Sequence, residues 1–252
     1  MRVDLNADIG ESFGAYRTGN DELLLPSITS ASIACGFHAG DPSVMRRTVQ
    51  LAARAGVHIG AHPGFPDLVG FGRREMNATP EEIADFVLYQ VGALDAIASA
   101  EGVKLRHIKP HGALYNMSAL RRDMAEAIVR AVASLKEPLV VIGPPGSELL
   151  AAATRQSLAI AAEGFADRSY EPDGSLTSRR IPGSVISNPS AVAERAVRMI
   201  SAGTVTARDG SVLALNVDTI CVHGDTPAAA ALASSVRKAL NQAGVEVVPF
   251  SA

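Results

Sequence analysis

Three times in this chain a helical segment ends on a glycine, and a valine then opens a strand-like run: Gly56-Val57-His58-Ile59, Gly102-Val103-Lys104-Leu105 and Gly244-Val245-Glu246-Val247. Glycine past the last helical turn adopts the left-handed backbone that stops a helix, and β-branched valine suits the extended run that follows. The helices that lead into these junctions carry matching starts. Thr79-Pro80-Glu81-Glu82 combines an N-cap, a proline at the first helical position and a glutamate at the third, and Ile83, Phe86, Val87, Leu94 and Ile97 follow at helical spacing. Asp41-Pro42 opens a segment that ends at Gly56, and Thr226-Pro227 opens one that ends at Gly244. Helix-to-strand units repeated along one chain predict βα units around a parallel sheet.

Further strand runs are expected at residues 3–8, 32–37, 105–109, 139–142, 159–163 and 219–223. Between residues 168 and 189, Pro172-Asp173-Gly174 and Ile181-Pro182-Gly183 interrupt the alternation and predict a turn-rich excursion with short strands, a hairpin or lid. No shift of composition divides the chain, so residues 1–252 are read as a single α/β domain. With 47% hydrophobic and 19% charged residues over 252 positions, there is apolar mass for a full-sized core.

The strands themselves decide between the parallel architectures. A sheet covered by helices on both faces has nearly continuous apolar strands. Here Asp4, Asn6 and Asp8 share one strand face, as do His58, Gly60 and His62, then His107, Lys109 and His111, and finally Cys221 and His223. Under helices these groups would lack partners, whereas in a closed barrel they meet in a lumen open at one end. An irregular (β/α) barrel is the predicted fold class.

The 23 basic residues nearly balance 26 acidic ones, which leaves no basic footprint for nucleic acid or an anionic membrane surface. Polar residues at positions 4, 6 and 8 fall where the apolar core of a signal peptide would lie, and no uncharged apolar stretch approaches the roughly 20 residues that span a bilayer. Two cysteines, Cys35 and Cys221, are too few for a disulfide framework, so a cytoplasmic protein is expected. The sequence leaves a homo-oligomeric state open. No G-x-x-x-x-G-K-[ST] phosphate loop occurs, and Gly143-Pro144-Pro145-Gly146-Ser147 lacks the lysine and has two prolines without N–H donors.

Four of the six histidines stand where a strand hands over to a loop, each with glycine within two residues: His38-Ala39-Gly40, His62-Pro63-Gly64, His111-Gly112 and His223-Gly224. Repetition at equivalent positions favours one shared site over four separate core residues. Asp8, His38 and His62 could supply an Asp-His-His set for a divalent metal. Lys109, inside a strand, must find an anion or lose its proton. It either binds a substrate carboxylate, a phosphate or a developing oxyanion, or links structurally to Asp8 or Glu163. Arg73-Arg74 and Asp167-Arg168 offer an anion clamp or surface salt bridges. Cys35 is read as a small buried apolar residue.

Asp4-Leu5-Asn6-Ala7-Asp8-Ile9-Gly10-Glu11, Ala34-Cys35-Gly36-Phe37-His38-Ala39-Gly40-Asp41-Pro42 and Gly60-Ala61-His62-Pro63-Gly64 follow one another in order. Gly70-Phe71-Gly72-Arg73-Arg74, Lys109-Pro110-His111-Gly112-Ala113-Leu114-Tyr115-Asn116, Glu163-Gly164-Phe165-Ala166-Asp167-Arg168 and Val222-His223-Gly224-Asp225 continue the series. Together these motifs closely resemble the LamB/YcsF family from one end of the chain to the other. Gly164 departs from the family pattern, which leads one to expect a bulkier residue there. The resemblance implies a barrel of the glycoside hydrolase/deacetylase type with seven strands. It also implies the role of the A subunit in the prokaryotic ATP-dependent 5-oxoprolinase, which cleaves the 5-oxoproline lactam to L-glutamate together with subunits B and C. ATP is then the co-substrate: the partners activate the lactam and the A subunit opens the ring, in keeping with the missing phosphate loop. Mapped onto this chain, the implied catalytic groups are Asp8, His38, His62, Lys109, His111, Glu163 and His223, and the substrate-binding groups are Asn6, Arg73, Asp167 and Arg168. Two other readings stay open: a metal-dependent deacetylase of an N-acylated carbohydrate, and a non-catalytic carboxylate-binding subunit.

Overall fold

Asp41, Thr79, Ser147 and Asn188 each accept a hydrogen bond from a backbone N–H in the first turn of a helix, and these caps mark where loops hand over to helices. At Thr79 the full reciprocal capping box forms with Glu82. The computed structural model describes residues 1–222, 224 and 228–250. Its first half runs β1 (Arg2–Ile9), α1 (Asp21–Leu24), β2 (Ser30–Ala34), α2 (Pro42–Arg54), β3 (His58–His62), α3 (Pro80–Ala100), β4 (Leu105–Ile108), α4 (Gly112–Leu120) and α5 (Arg122–Ala133). The second half runs β5 (Val140–Gly143), α6 (Glu148–Arg155), β6 (Ile160–Phe165), α7 (Pro189–Ala202), β7 (Thr204–Thr206), β8 (Val212–Ala214), β9 (Thr219–Cys221), α8 (Ala229–Gln242) and β10 (Glu246–Val247).

Strands β1 to β6 and β9 pair in parallel, and β9 pairs in turn with β1, closing the predicted seven-stranded barrel. Strand β10 adds to the start of β1. The period of two seen in the sequence separates the barrel's two surfaces. Leu5, Ala7, Ile9, Ala31, Ile33, Ile59, Ala61 and Ile220 join the core shared with helical residues such as Val49, Val87, Leu94, Ile128 and Val236. The intervening residues Asp4, Asn6, Ser30, Ser32, His107, Glu163 and Thr219 are buried and bonded to one another across the lumen. One arc of the lumen, Val140, Ile142 and Ala161, is apolar and packs against Phe250. Gly164 backs onto Val217, which a Cβ would approach to 3.0 Å; Val217 fills the space a bulkier residue would take.

Strand ends differ from expectation where the backbone turns. Strand β2 stops at Ala34 because Gly36 takes a φ of +93°, so Cys35 and His38 lie beyond it. Strand β4 stops at Ile108, and Lys109 is the first residue after it. Residue His223 and the Thr226-Pro227 helix start lie outside the described residues. The antiparallel β7–β8 hairpin falls outside the strand runs expected from sequence, although Asp209-Gly210 at its turn is a hairpin signal. Residues 168–189 hold no regular strand: the expected short strands reduce to two isolated bridges, Arg168↔Val185 and Tyr170↔Leu176, because prolines and glycines break the ladder. Helix α3 alone among the described helices has the length and apolarity to cross a membrane. Here it buries Ile83, Val87, Val91, Leu94 and Ala98 in the core and packs on α5.

Candidate active site

The lumen's polar groups rise toward the C-terminal ends of the strands, the end where barrel loops gather reactive groups. Lys109, 2% exposed, stands at the centre. Its Nζ lies 2.6 Å from Asp8 Oδ1, donates to Glu163 Oε1 at 2.9 Å and to Asn6 Oδ1 at 3.1 Å, and meets Cys221 Sγ at 3.3 Å. Burial alone would strip the proton from this lysine, but Asp8 and Glu163 prevail and hold it well above its ordinary range. Lys109 is therefore a fixed cation near neutral pH. Glu163 is held in turn: Asn6 Nδ2 donates to Oε1 at 2.9 Å and the Tyr115 hydroxyl donates to Oε2 at 2.8 Å. Burial pushes the Cys221 thiol well up, against the pull of Lys109, so it stays neutral. Burial likewise lifts Cys35 to about 12.

Beside the lysine, Glu11, His38, His62 and His111 form a buried cluster whose ligand-type atoms lie within 4.8 Å of one another. His62 Nδ1 donates to the Lys109 carbonyl at 2.7 Å, and His111 Nε2 donates to the Phe71 carbonyl at 2.8 Å. A carbonyl only accepts, so each proton is placed, leaving His62 Nε2 and His111 Nδ1 facing each other at 2.9 Å. His38 stacks on His111 with ring centroids 3.7 Å apart. Burial, together with the neighbouring imidazoles, holds both His38 and His111 well below the ordinary histidine range, so both are neutral at pH 7. Asp8 Oδ2 is 3.4 Å from His62 Nε2 and thereby joins the lysine array to the histidines.

The loop after β3 roofs this cluster. Asp67 ties the loop to itself by accepting from the Gly70 N–H and by pairing with Arg74. Gly72, with φ +61°, passes so close that a Cβ there would sit 2.7 Å from His38 Cβ and 2.9 Å from His111 Cδ2. Exposed Arg73 places its guanidinium carbon 4.9 Å from the Phe71 ring centroid. Buried Arg168 spends its donors on the excursion, reaching the Thr177 carbonyl at 2.5 Å and the Ser184 carbonyl at 3.3 Å. Burial, then the charges of Arg179 and, more weakly, Arg73, lowers Arg168 to about 10, so these arginines share one field at the mouth.

The sequence profile of the LamB/YcsF family matches residues 3–252. The chain belongs to the LamB/YcsF family. It is 52% identical over 250 residues to the 5-oxoprolinase A subunit of Pyrococcus abyssi, covering 99% of this chain and 98% of that one. Its fold superposes on the lactam utilization protein of Thermus thermophilus with a TM-score of 0.93 at 48% identity, covering 99% of this chain and all of that one. The catalytic domain of a Eubacterium rectale peptidoglycan N-acetylglucosamine deacetylase gives a TM-score of 0.53 at 10% identity, with 99% and 88% covered, a likeness of fold alone.

In this LamB/YcsF protein the structure brings Asn6, Asp8, Lys109 and Glu163 into one hydrogen-bonded array, with His38, His62 and His111 beside it. The carboxylate grouped with the three histidines is Glu11, while Asp8, expected beside His38 and His62, gives Oδ1 to Lys109 and sets Oδ2 3.4 Å from His62 Nε2. Asp167 is fully buried, and Arg168 holds loop carbonyls. His107 lies deeper, hydrogen-bonded to Ser32 at 3.2 Å and packed on Phe250. Glu11 and Tyr115 were missed by sequence reasoning. For Tyr115 a signal existed: His111 stands at the N-cap position of α4, and Tyr115 follows one helical turn later on the same side.

Proposed function

We propose that this LamB/YcsF protein is the A subunit of an ATP-hydrolysing 5-oxoprolinase that opens the 5-oxoproline lactam to L-glutamate together with subunits B and C. The observation that carries this reading is end-to-end likeness, at 52% identity, to a relative named as the A subunit of 5-oxoprolinase. In this reading the partners use ATP to activate the lactam, and water opens the ring in the lumen of this chain. Lys109, kept cationic, stabilises the oxygen that gains negative charge or grips the substrate carboxylate. Asp8, bonded to Lys109 and close to His62, is positioned to take a proton from the attacking water and to pass it to the departing nitrogen. Glu163, Asn6 and Tyr115 fix the lysine, while Arg73 at the mouth attracts a small anion. Two free, buried cysteines support a cytoplasmic location, which the proposed use of ATP requires.

The test is glutamate release and 5-oxoproline-dependent ATP hydrolysis by the purified chain with and without subunits B and C. Glutamate is expected only from the complete set. Lys109→Met and His111→Ala should each lower glutamate formation by at least about 100-fold, with circular dichroism showing the barrel retained. Near-normal turnover by both variants would overturn the assignment of the site. Neither a metal-dependent carbohydrate deacetylase nor a non-catalytic carboxylate-binding role is favoured, since the deacetylase likeness concerns the barrel alone.

A further inference from the structure

From the buried cluster at the mouth of the barrel we infer that Glu11, His38, His62 and His111 bind one divalent transition-metal ion of the zinc class, independently of whether 5-oxoproline is the substrate. The first ground is the arrangement of lone pairs. With the His62 and His111 protons committed to the carbonyls of Lys109 and Phe71, the unprotonated His62 Nε2 and His111 Nδ1 point at each other across 2.9 Å. Two lone pairs aimed at one point repel unless a cation lies between them. An imidazole whose outer N–H is held by a carbonyl is also the arrangement that orients a metal-ligating histidine.

The second ground is His38. It is fully buried, and neither ring nitrogen has a hydrogen-bond partner among the described residues. A buried polar group without a partner is unfavourable, and coordination through Nε2 would satisfy one of the two nitrogens. The third ground is spacing. Glu11 Oε1 lies 3.6 Å from both His38 Nε2 and His111 Nδ1. For bonds of about 2.1 Å, a tetrahedron has edges of about 3.4 Å, so these separations match one ion once the 2.9 Å pair opens and the His38 ring turns out of its parallel stack on His111. Three imidazoles and a carboxylate select a borderline ion such as zinc over magnesium or calcium, which prefer oxygen alone. Bound there, such an ion would act as a Lewis acid beside Lys109.

The test uses untagged full-length protein, stripped with a chelator and titrated with cobalt(II) or zinc(II). Binding is read by elemental analysis after desalting, by the cobalt visible spectrum and by the thermal midpoint. One equivalent of metal, a tetrahedral cobalt spectrum and a raised midpoint are expected. His62→Ala and the more conservative Glu11→Gln should each lose the spectrum and the shift, while Lys109→Met keeps both. Stripped protein that takes up no stoichiometric metal would overturn the inference and leave a shared proton between the two rings. Uptake unchanged in both Glu11→Gln and His62→Ala would overturn it equally. None of these readouts depends on glutamate formation, so the metal site and the proposed reaction can fail separately.

Discussion

Lys109 keeps its charge in a buried lumen because each neighbour is itself held in place: Asp8 by register in β1, Glu163 by Asn6 and Tyr115, and Asn6 by Thr219. The same crowding explains particular glycines. A Cβ on Gly60 would lie 2.2 Å from His107 Cδ2, inside the ring's own contact shell. Gly60→Ala should therefore destabilise the barrel by about 3 kcal/mol or more, measured by urea unfolding. His107→Ala in the same chain should recover most of that loss in a double-mutant cycle; additive losses would show that the ring is not what excludes the methyl. Lys109 and His62 were legible in sequence because polar residues alternated where a strand should be apolar. Glu11 was not, since it follows Gly10 at φ +71°, and the direction in which the chain leaves the barrel there is a backbone property that composition does not carry.

Among the elements, those with local chemistry behave as isolated signals predict. The Thr79 capping box starts α3 where the motif stands, and Thr79→Ala should cost about 1 kcal/mol in a denaturant titration. A smaller loss than about 0.3 kcal/mol would mean that core packing alone defines this helix end. The excursion at residues 168–189 obeys a different control. Its shape depends on Arg168 reaching the carbonyls of Thr177 and Ser184, contacts made across a loop with no periodic pattern. Arg168→Met should accelerate tryptic cutting after Arg179 or Arg180, identified by mass spectrometry, while the barrel fragments persist. Cutting at the parent rate would remove Arg168 from that holding role.

For the whole molecule, closure is the decisive event, and Asp4 sits across the seam. Its carboxylate accepts from the hydroxyls of Thr29, Ser30 and Thr219, joining β1 to β2 and β9. Burial, with a smaller push from Glu163, outweighs those hydrogen bonds and raises Asp4 from 3.8 to about 6. The folded barrel thus favours the protonated acid: the stability Asp4 lends is full below about pH 4 and is lost as pH rises through about 6. Asp4→Asn cannot suffer that loss, so its stability relative to the parent should improve by about 2 kcal/mol between pH 4.5 and pH 7, measured by urea unfolding at each pH. A difference that stays flat with pH would show that the seam holds an ionised Asp4. By itself, the sequence determined the βα repeat, the polar lumen and most of the residues in it, because caps, helix-ending glycines and alternation are short-range consequences of backbone geometry. Only the tertiary structure decided which carboxylate meets the histidines, which nitrogen carries each proton and which arginine turns from the mouth to hold a loop. Those are matters of distance between segments far apart in the chain, and closing the barrel is what brings them within reach.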